Sequence, residues 1–90
     1  MLKLTPTNQF KKDYKLAVRR GRKPQKLSAI LDILCAGDKL PEKYRDHPLT
    51  TSKKYKDVRE CHIELDWLLI YRIDENSVYL IRTGAHSDLF

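Results

Sequence analysis

The segment Trp67 to Ile73 constrains the fold of this chain more than any other. It begins with Trp67-Leu68-Leu69-Ile70-Tyr71, the longest uninterrupted apolar run in the sequence. That run is far short of the ~20 residues needed to span a bilayer. A segment that is apolar at odd and even positions alike reads as a central, covered strand. Its neighbours alternate in the ordinary way. From Lys56 to Glu64, Val58, Glu60, His62 and Glu64 share one side, while Arg59, Cys61 and Ile63 share the other. From Ser77 to Thr83 the alternation returns. Leu65-Asp66 and Asp74-Glu75-Asn76 are short enough for tight connections, so the second half reads as three consecutive strands.

The first half has a different period. After Leu2-Lys3-Leu4-Thr5, a short alternating strand stopped by Pro6, the apolar positions Phe10, Tyr14, Ala17 and Val18 recur at helical spacing. Thr7 suits the cap of that helix and Gly21 its end. Pro24 opens a second helix with inner face Leu27, Ile30, Leu31 and Leu34, and Gly37 ends it. From Asp38 to about Tyr55 neither period survives. Unstructured segments longer than ~12–15 residues are uncommon in small domains and tend to be functional. The tail Gly84 to Phe90 is too short for another full element. Strand, helix, helix and three strands predict an α+β fold, with an N-terminal strand and the helix pair packed on an antiparallel sheet of about four strands.

Ninety residues with 41% hydrophobic side chains suffice for one domain, spanning 1–90, and one core. The N-terminus lacks the apolar region of a secretory signal, and two cysteines, Cys35 and Cys61, are too few for a disulfide framework. A cytoplasmic location with reduced thiols and no membrane association is expected. The net charge of +6 is unevenly placed: residues 1–56 carry 15 Lys/Arg against five acids, and residues 57–90 three Arg against seven acids. The densest stretch, Lys11 to Lys26, has eight basic residues opposed only by Asp13. Such a field attracts polyanions, nucleic acid foremost, although a solvated helix face has the same composition.

The side chains able to move protons lie elsewhere. His47 is in the irregular loop, His62 on a strand and His86 in the tail, while Asp66 and Arg82 stand at strand ends. Singly, each has a structural explanation. Together they provide acids, bases and a cation near one sheet edge. Cleavage of RNA at a phosphodiester needs this set: the 2′-hydroxyl loses a proton, the 5′-oxygen gains one, and the phosphorane collects negative charge. His62 and Asp66 are expected on one side of the turn between them, with Arg82 close to one of the two. No HxxxH, HExxH or CxxC spacing occurs, so no metal or other cofactor is expected. Alternation turns Cys61 away from His62 and toward the core, which argues against a cysteine nucleophile. Trp67 suits core packing, and Phe90 either pins the tail or stacks on a base.

The motifs "DHPL" at 46–49, "RECHIELDWLLIYRI" at 59–73 and "RTGAHSDLF" at 82–90 together resemble the YafQ branch of the RelE superfamily of toxins. The likeness covers nearly the whole chain, the basic helix pair included. It implies a type II toxin that cleaves messenger RNA in the ribosomal A site and is silenced by a cognate antitoxin. It implies His86 as general acid, with His47, His62 and Asp66 completing the catalytic set and the general base left open among those three. Trp67, Arg82 and Phe90 fall on RNA-contacting or site-shaping positions. "ELDW" departs from the family where a proline often precedes the aspartate. The Lys11–Lys26 stripe is then expected against ribosomal RNA, and Lys53, Lys54 and Lys56 along the messenger path. Operator DNA is expected to be bound only through the antitoxin. The antitoxin itself is expected as an acidic or amphipathic segment over the helix pair, the sheet edge or both, acting by covering the site or, the preferred reading, by blocking ribosome entry. Two alternatives stay open: a ribonuclease that needs no ribosome, and a catalytically silent module acting with an antitoxin on operator DNA.

Overall fold

In the computed structural model, which describes residues 1–50, 55 and 57–90, the mid-chain change of period separates helices from sheet. Thr7 opens α1 (Asn8–Arg19): its Oγ1 accepts the Phe10 N–H at 3.1 Å and donates to the Ile81 carbonyl at 3.0 Å. One side chain thus caps the helix and fastens it to the sheet. The second helix, α2, runs Pro24–Cys35. Both helices stop at glycines in the left-handed region, Gly21 at φ 94° and Gly37 at φ 79°. There the Arg22 N–H reaches the Ala17 carbonyl at 3.0 Å, and the Asp38 N–H reaches that of Ile33 at 3.2 Å. These bonds satisfy carbonyls that a helix end leaves bare.

The described strands are β1 (Lys3–Pro6), β2 (His47–Pro48), β3 (Arg59–Glu64), β4 (Trp67–Ile73) and β5 (Ser77–Gly84), in the spatial order β1-β5-β4-β3-β2. The expected antiparallel sheet of about four strands is therefore a mixed sheet of five. β1 lies parallel to β5, from Lys3 beside Ser77 to Pro6 beside Leu80. Helices rather than a tight turn follow β1, so it is not obliged to run against its neighbour. β2 comes from the segment expected to be irregular, as does a 3-10 turn at Glu42–Tyr44. Asp46 accepts from Arg59 Nε at 3.2 Å and from the Tyr71 hydroxyl, which ties that segment to β3 and β4.

β4 sits at the centre and feeds both faces. Trp67, Leu69 and Tyr71 join Phe10, Ala17, Leu27, Ile30 and Leu34 beneath the helices, with Cys61 and Ile63 on the same side. Leu68 and Ile70 pack on the other face with Val58 and Leu89. Fully burying a large apolar side chain contributes about 1.5–3 kcal/mol. Val18, expected inside, is 41% exposed, and Asp13 is buried on α1 in its place because it meets Arg82. The tail forms one helical turn, α3 (His86–Leu89). Leu89 is the residue that pins it, fully buried, while Phe90 is 53% exposed. No helix among the described residues is long and apolar enough to cross a membrane.

Trp67 has no exposed surface, so it offers no face to a base, and its indole N–H donates to Thr83 Oγ1 at 2.9 Å. Thr83 in turn donates to the Leu68 carbonyl at 2.7 Å. Trp67→Phe is expected to cost about 1–3 kcal/mol, the loss from a buried hydroxyl left without its donor. Urea unfolding measures this as a lower midpoint at unchanged m-value.

Candidate functional site

The side chains with proton-transfer chemistry gather on the face of the sheet opposite the helix pair. Alternation along β3 places Glu60 and His62 there, and the pairing of β2 with β3 sets His47 beside Glu60. Glu60 is buried, with its Oε1 3.5 Å from His47 Nε2 and 3.7 Å from His62 Nε2. His47 Nδ1 lies 2.7 Å from the Arg45 carbonyl. That oxygen can only accept, so Nδ1 carries the proton and Nε2 turns toward Glu60. Sequence reasoning missed Glu60. The available signal was its place two residues before His62 on one strand face, which does not reveal that it is buried.

The second half of the site comes from the tail. α3 brings His86 to a ring-centroid distance of 5.8 Å from His62. His86 Nδ1 lies 3.0 Å from Asp66 Oδ1, and the His86 backbone N–H donates to the same oxygen at 3.1 Å. The ring and backbone hydrogen bonds from His86 hold the Asp66 carboxyl below its ordinary value. With Nδ1 committed to Asp66, Nε2 is the nitrogen free to face a reacting atom. Phe90 stands 6.4 Å from the His86 ring and meets Tyr55 edge-on at 5.8 Å. The Tyr55 hydroxyl donates to the Leu89 carbonyl at 3.1 Å, holding the tail in place.

His62 and Asp66 therefore converge through His86, and Arg82 joins neither. Its Nε and one terminal nitrogen lie 2.8 and 2.9 Å from the two oxygens of Asp13 on α1. The hydrogen bonds from Asp13 push the guanidinium further up, and Tyr55 adds a smaller contribution. That edge of the guanidinium is occupied by a carboxylate. Lys53, Lys54 and Lys56 lie outside the described residues. Cys61 is fully buried, and burial pushes its thiol far above the ordinary value, so it is not a nucleophile. Among the described residues no group of His, Cys, Asp and Glu has the arrangement of a metal site.

Part of the basic stripe is also engaged. Arg20 pairs with Asp88 at 2.9 Å, Lys26 with Glu64 at 3.1 Å, and Arg22 with Glu64 at 3.8 Å. Lys11, Lys12, Lys15, Arg19 and Lys23 have no ion-pair partner among the described residues. Beside His62 a groove of about 540 Å³ runs between α2 and the 3-10 turn, lined by Gln25, Lys26, Lys43, Tyr44 and Arg45. His62 thus borders both the acid–base cluster and a groove that carries Lys26, Lys43 and Arg45.

The sequence matches, over residues 2–90, the family described as the bacterial toxin of type II toxin–antitoxin systems, YafQ. It is 40% identical over 85 residues to the mRNA interferase toxin YafQ of Escherichia coli strain B, covering 93% of this chain and 90% of that one. The fold is similar to the toxin in the crystal structure of the E. coli DinJ–YafQ complex, with a TM-score of 0.89, 37% identity and coverage of 100% and 99%. A metal-bound toxin from Helicobacter pylori is similar too, at a TM-score of 0.90, 40% identity and full coverage of both chains.

Proposed function

This chain belongs to the YafQ family of toxins from bacterial type II toxin–antitoxin systems, and from that premise we propose that it is an endoribonuclease that cleaves messenger RNA. The observation that carries the reading is the His86–Asp66 pair facing His62 at 5.8 Å, with Glu60 buried behind. In this reading His86 Nε2 protonates the leaving 5′-oxygen, and Asp66 orients the ring and stabilises its charged form. The proton of the attacking 2′-hydroxyl passes to His62, which Glu60 and His47 support. Phe90 and Tyr55 offer aromatic surface against which a base can stack. The scissile phosphate sits between His62 and His86, and the groove carrying Lys43 and Arg45 takes the strand beyond it. Trp67 supports the site from beneath without touching RNA.

The protein's partner in this reading is a cognate antitoxin that silences it; the related YafQ is held in a toxin–antitoxin complex with DinJ. We place the cleavage in the ribosomal A site, with Lys11, Lys12, Lys15, Arg19 and Lys23 on ribosomal RNA. Operator DNA is engaged only through the antitoxin. Docking by such a stripe weakens steeply with salt, because each neutralised phosphate releases counterions.

Incubating the purified protein with a defined message, with and without ribosomes, tests the reading. Cleavage only with ribosomes supports it. Equal cleavage of free message makes this a ribosome-independent ribonuclease, and no cleavage in either arm leaves a silent binding module. Glu60→Gln is expected to slow cleavage about tenfold to a hundredfold, less than loss of a direct acid or base. Single-turnover rates on bound message measure that effect, with antitoxin affinity unchanged.

A further inference from the structure

We propose that the link between the two helices, Arg20-Gly21-Arg22, is a positioning device for the His86–Asp66 pair. The proposal rests on the catalytic reading of His86 above. His86 and Asp66 come from different elements, α3 and the β3–β4 turn, and their side chains are 57% and 58% exposed. An exposed pair of this kind holds itself together weakly. A single helical turn near a chain end also frays readily unless something ties it down.

The link ties down both halves. Arg20 Nη1 lies 2.9 Å from Asp88 Oδ2, and the same oxygen accepts the Ala85 N–H at 3.0 Å. This closes the turn that starts α3 immediately before His86. Arg22 Nη2 donates to the backbone carbonyl of Asp66 at 2.9 Å. Its guanidinium also lies 3.8 Å from Glu64 Oε1 and 5.8 Å from the centre of the Trp67 ring. One arginine therefore holds the element bearing the acid, and the other holds the turn bearing its orienting carboxylate. Their spacing depends on Gly21, whose φ of 94° reverses the chain between them. The link leaves α1 through a capped helix end, so both arginines start from a fixed frame. Neither is placed against RNA in the catalytic reading, and both act through the pair.

The test measures steady-state cleavage of ribosome-bound message together with NMR of the His86 ring. Arg20→Ala and Arg22→Ala are each expected to lower kcat about tenfold, and the double variant about a hundredfold, the scale of a small misplacement of a catalytic group. KM should stay within about twofold, and lysine at either position should restore most of the rate. Lys23→Ala removes the same charge nearby and is expected to change KM only. In Arg22→Ala the His86 ring signals should shift and broaden; in Lys23→Ala they should not. If the double variant does not fold, Asp88→Asn and the single variants provide the same readouts. Wild-type kcat with unshifted His86 signals would overturn the proposal, as would effects confined to KM and equal to those of Lys23→Ala. If the wild-type protein cuts no message at all, the catalytic reading falls, while the His86 signals still decide the positioning role.

Discussion

His86→Gln is expected to lower messenger RNA cleavage about 10²–10⁴-fold, the contribution of a general acid, without loss of the fold. The ring is more than half exposed, and the tail is anchored instead by fully buried Leu89 and by Tyr55. Glutamine retains an N–H that can reach Asp66, so the local geometry is conserved. It has no proton to release near neutral pH. Asp66→Asn should cost less, because it removes the orienting charge and leaves the acid in place. The Asp66 carboxyl titrates below its ordinary value through its hydrogen bonds from His86. The orienting charge on Asp66 is therefore present above the ordinary carboxylate value near pH 4 and is lost as pH falls through the lowered one. An acid limb of activity at higher pH would belong to another group. Near-normal cleavage by a folded His86→Gln protein would remove His86 from the mechanism.

Asp13→Asn is expected to destabilise the fold by about 3–5 kcal/mol, the cost of stranding one partner of a buried ion pair. Asp13 is 9% exposed and the Arg82 side chain 20%. Asparagine removes the counter-charge and replaces an acceptor with a donor aimed at a cation. Burial raises the Asp13 carboxyl, but hydrogen bonds from Arg82, Gln9 and the Thr83 backbone outweigh it and leave the value lowered. A lowered carboxylate contributes stability above its unfolded value near pH 4 and loses it as pH falls through the folded one. Asp13→Asn should therefore flatten the acid end of the stability profile as well as lower Tm. Arg82→Met on top of Asp13→Asn should recover much of the loss, since no charge is then left unpaired. A double variant no more stable than Asp13→Asn alone would show that the cost lies in the hydrogen bond to Thr83.

Much of the fold was legible because its signals are local. The two-residue period of β3 places Cys61 and Ile63 on one side and Glu60 and His62 on the other, as the alternation implied. Gly21 and Gly37 end their helices because a left-handed residue is needed there and glycine meets that need without strain. The parallel pairing of β1 was not legible, since the direction of an edge strand is set by where two helices return the chain. That Leu89 rather than Phe90 pins the tail was not legible for a similar reason. A one-turn helix rotates one inward and the other outward, and no period can be read from so few residues.

The sequence by itself determined the fold class, the buried identity of Trp67 to Tyr71 and the residue types able to transfer protons. These depend on side-chain period and chemistry, which neighbours along the chain suffice to define. Only the tertiary structure decided which of those residues meet. Arg82 is paired by a carboxylate 69 positions away, Glu60 is flanked by two histidines from different strands, and the link between the helices reaches both halves of the His86–Asp66 pair. Each of these contacts joins distant segments, and its partner is fixed by the register and packing of the sheet. Charge pairs in particular are set by proximity in space, so a basic stripe read along the chain could not show which of its members the fold had already neutralised.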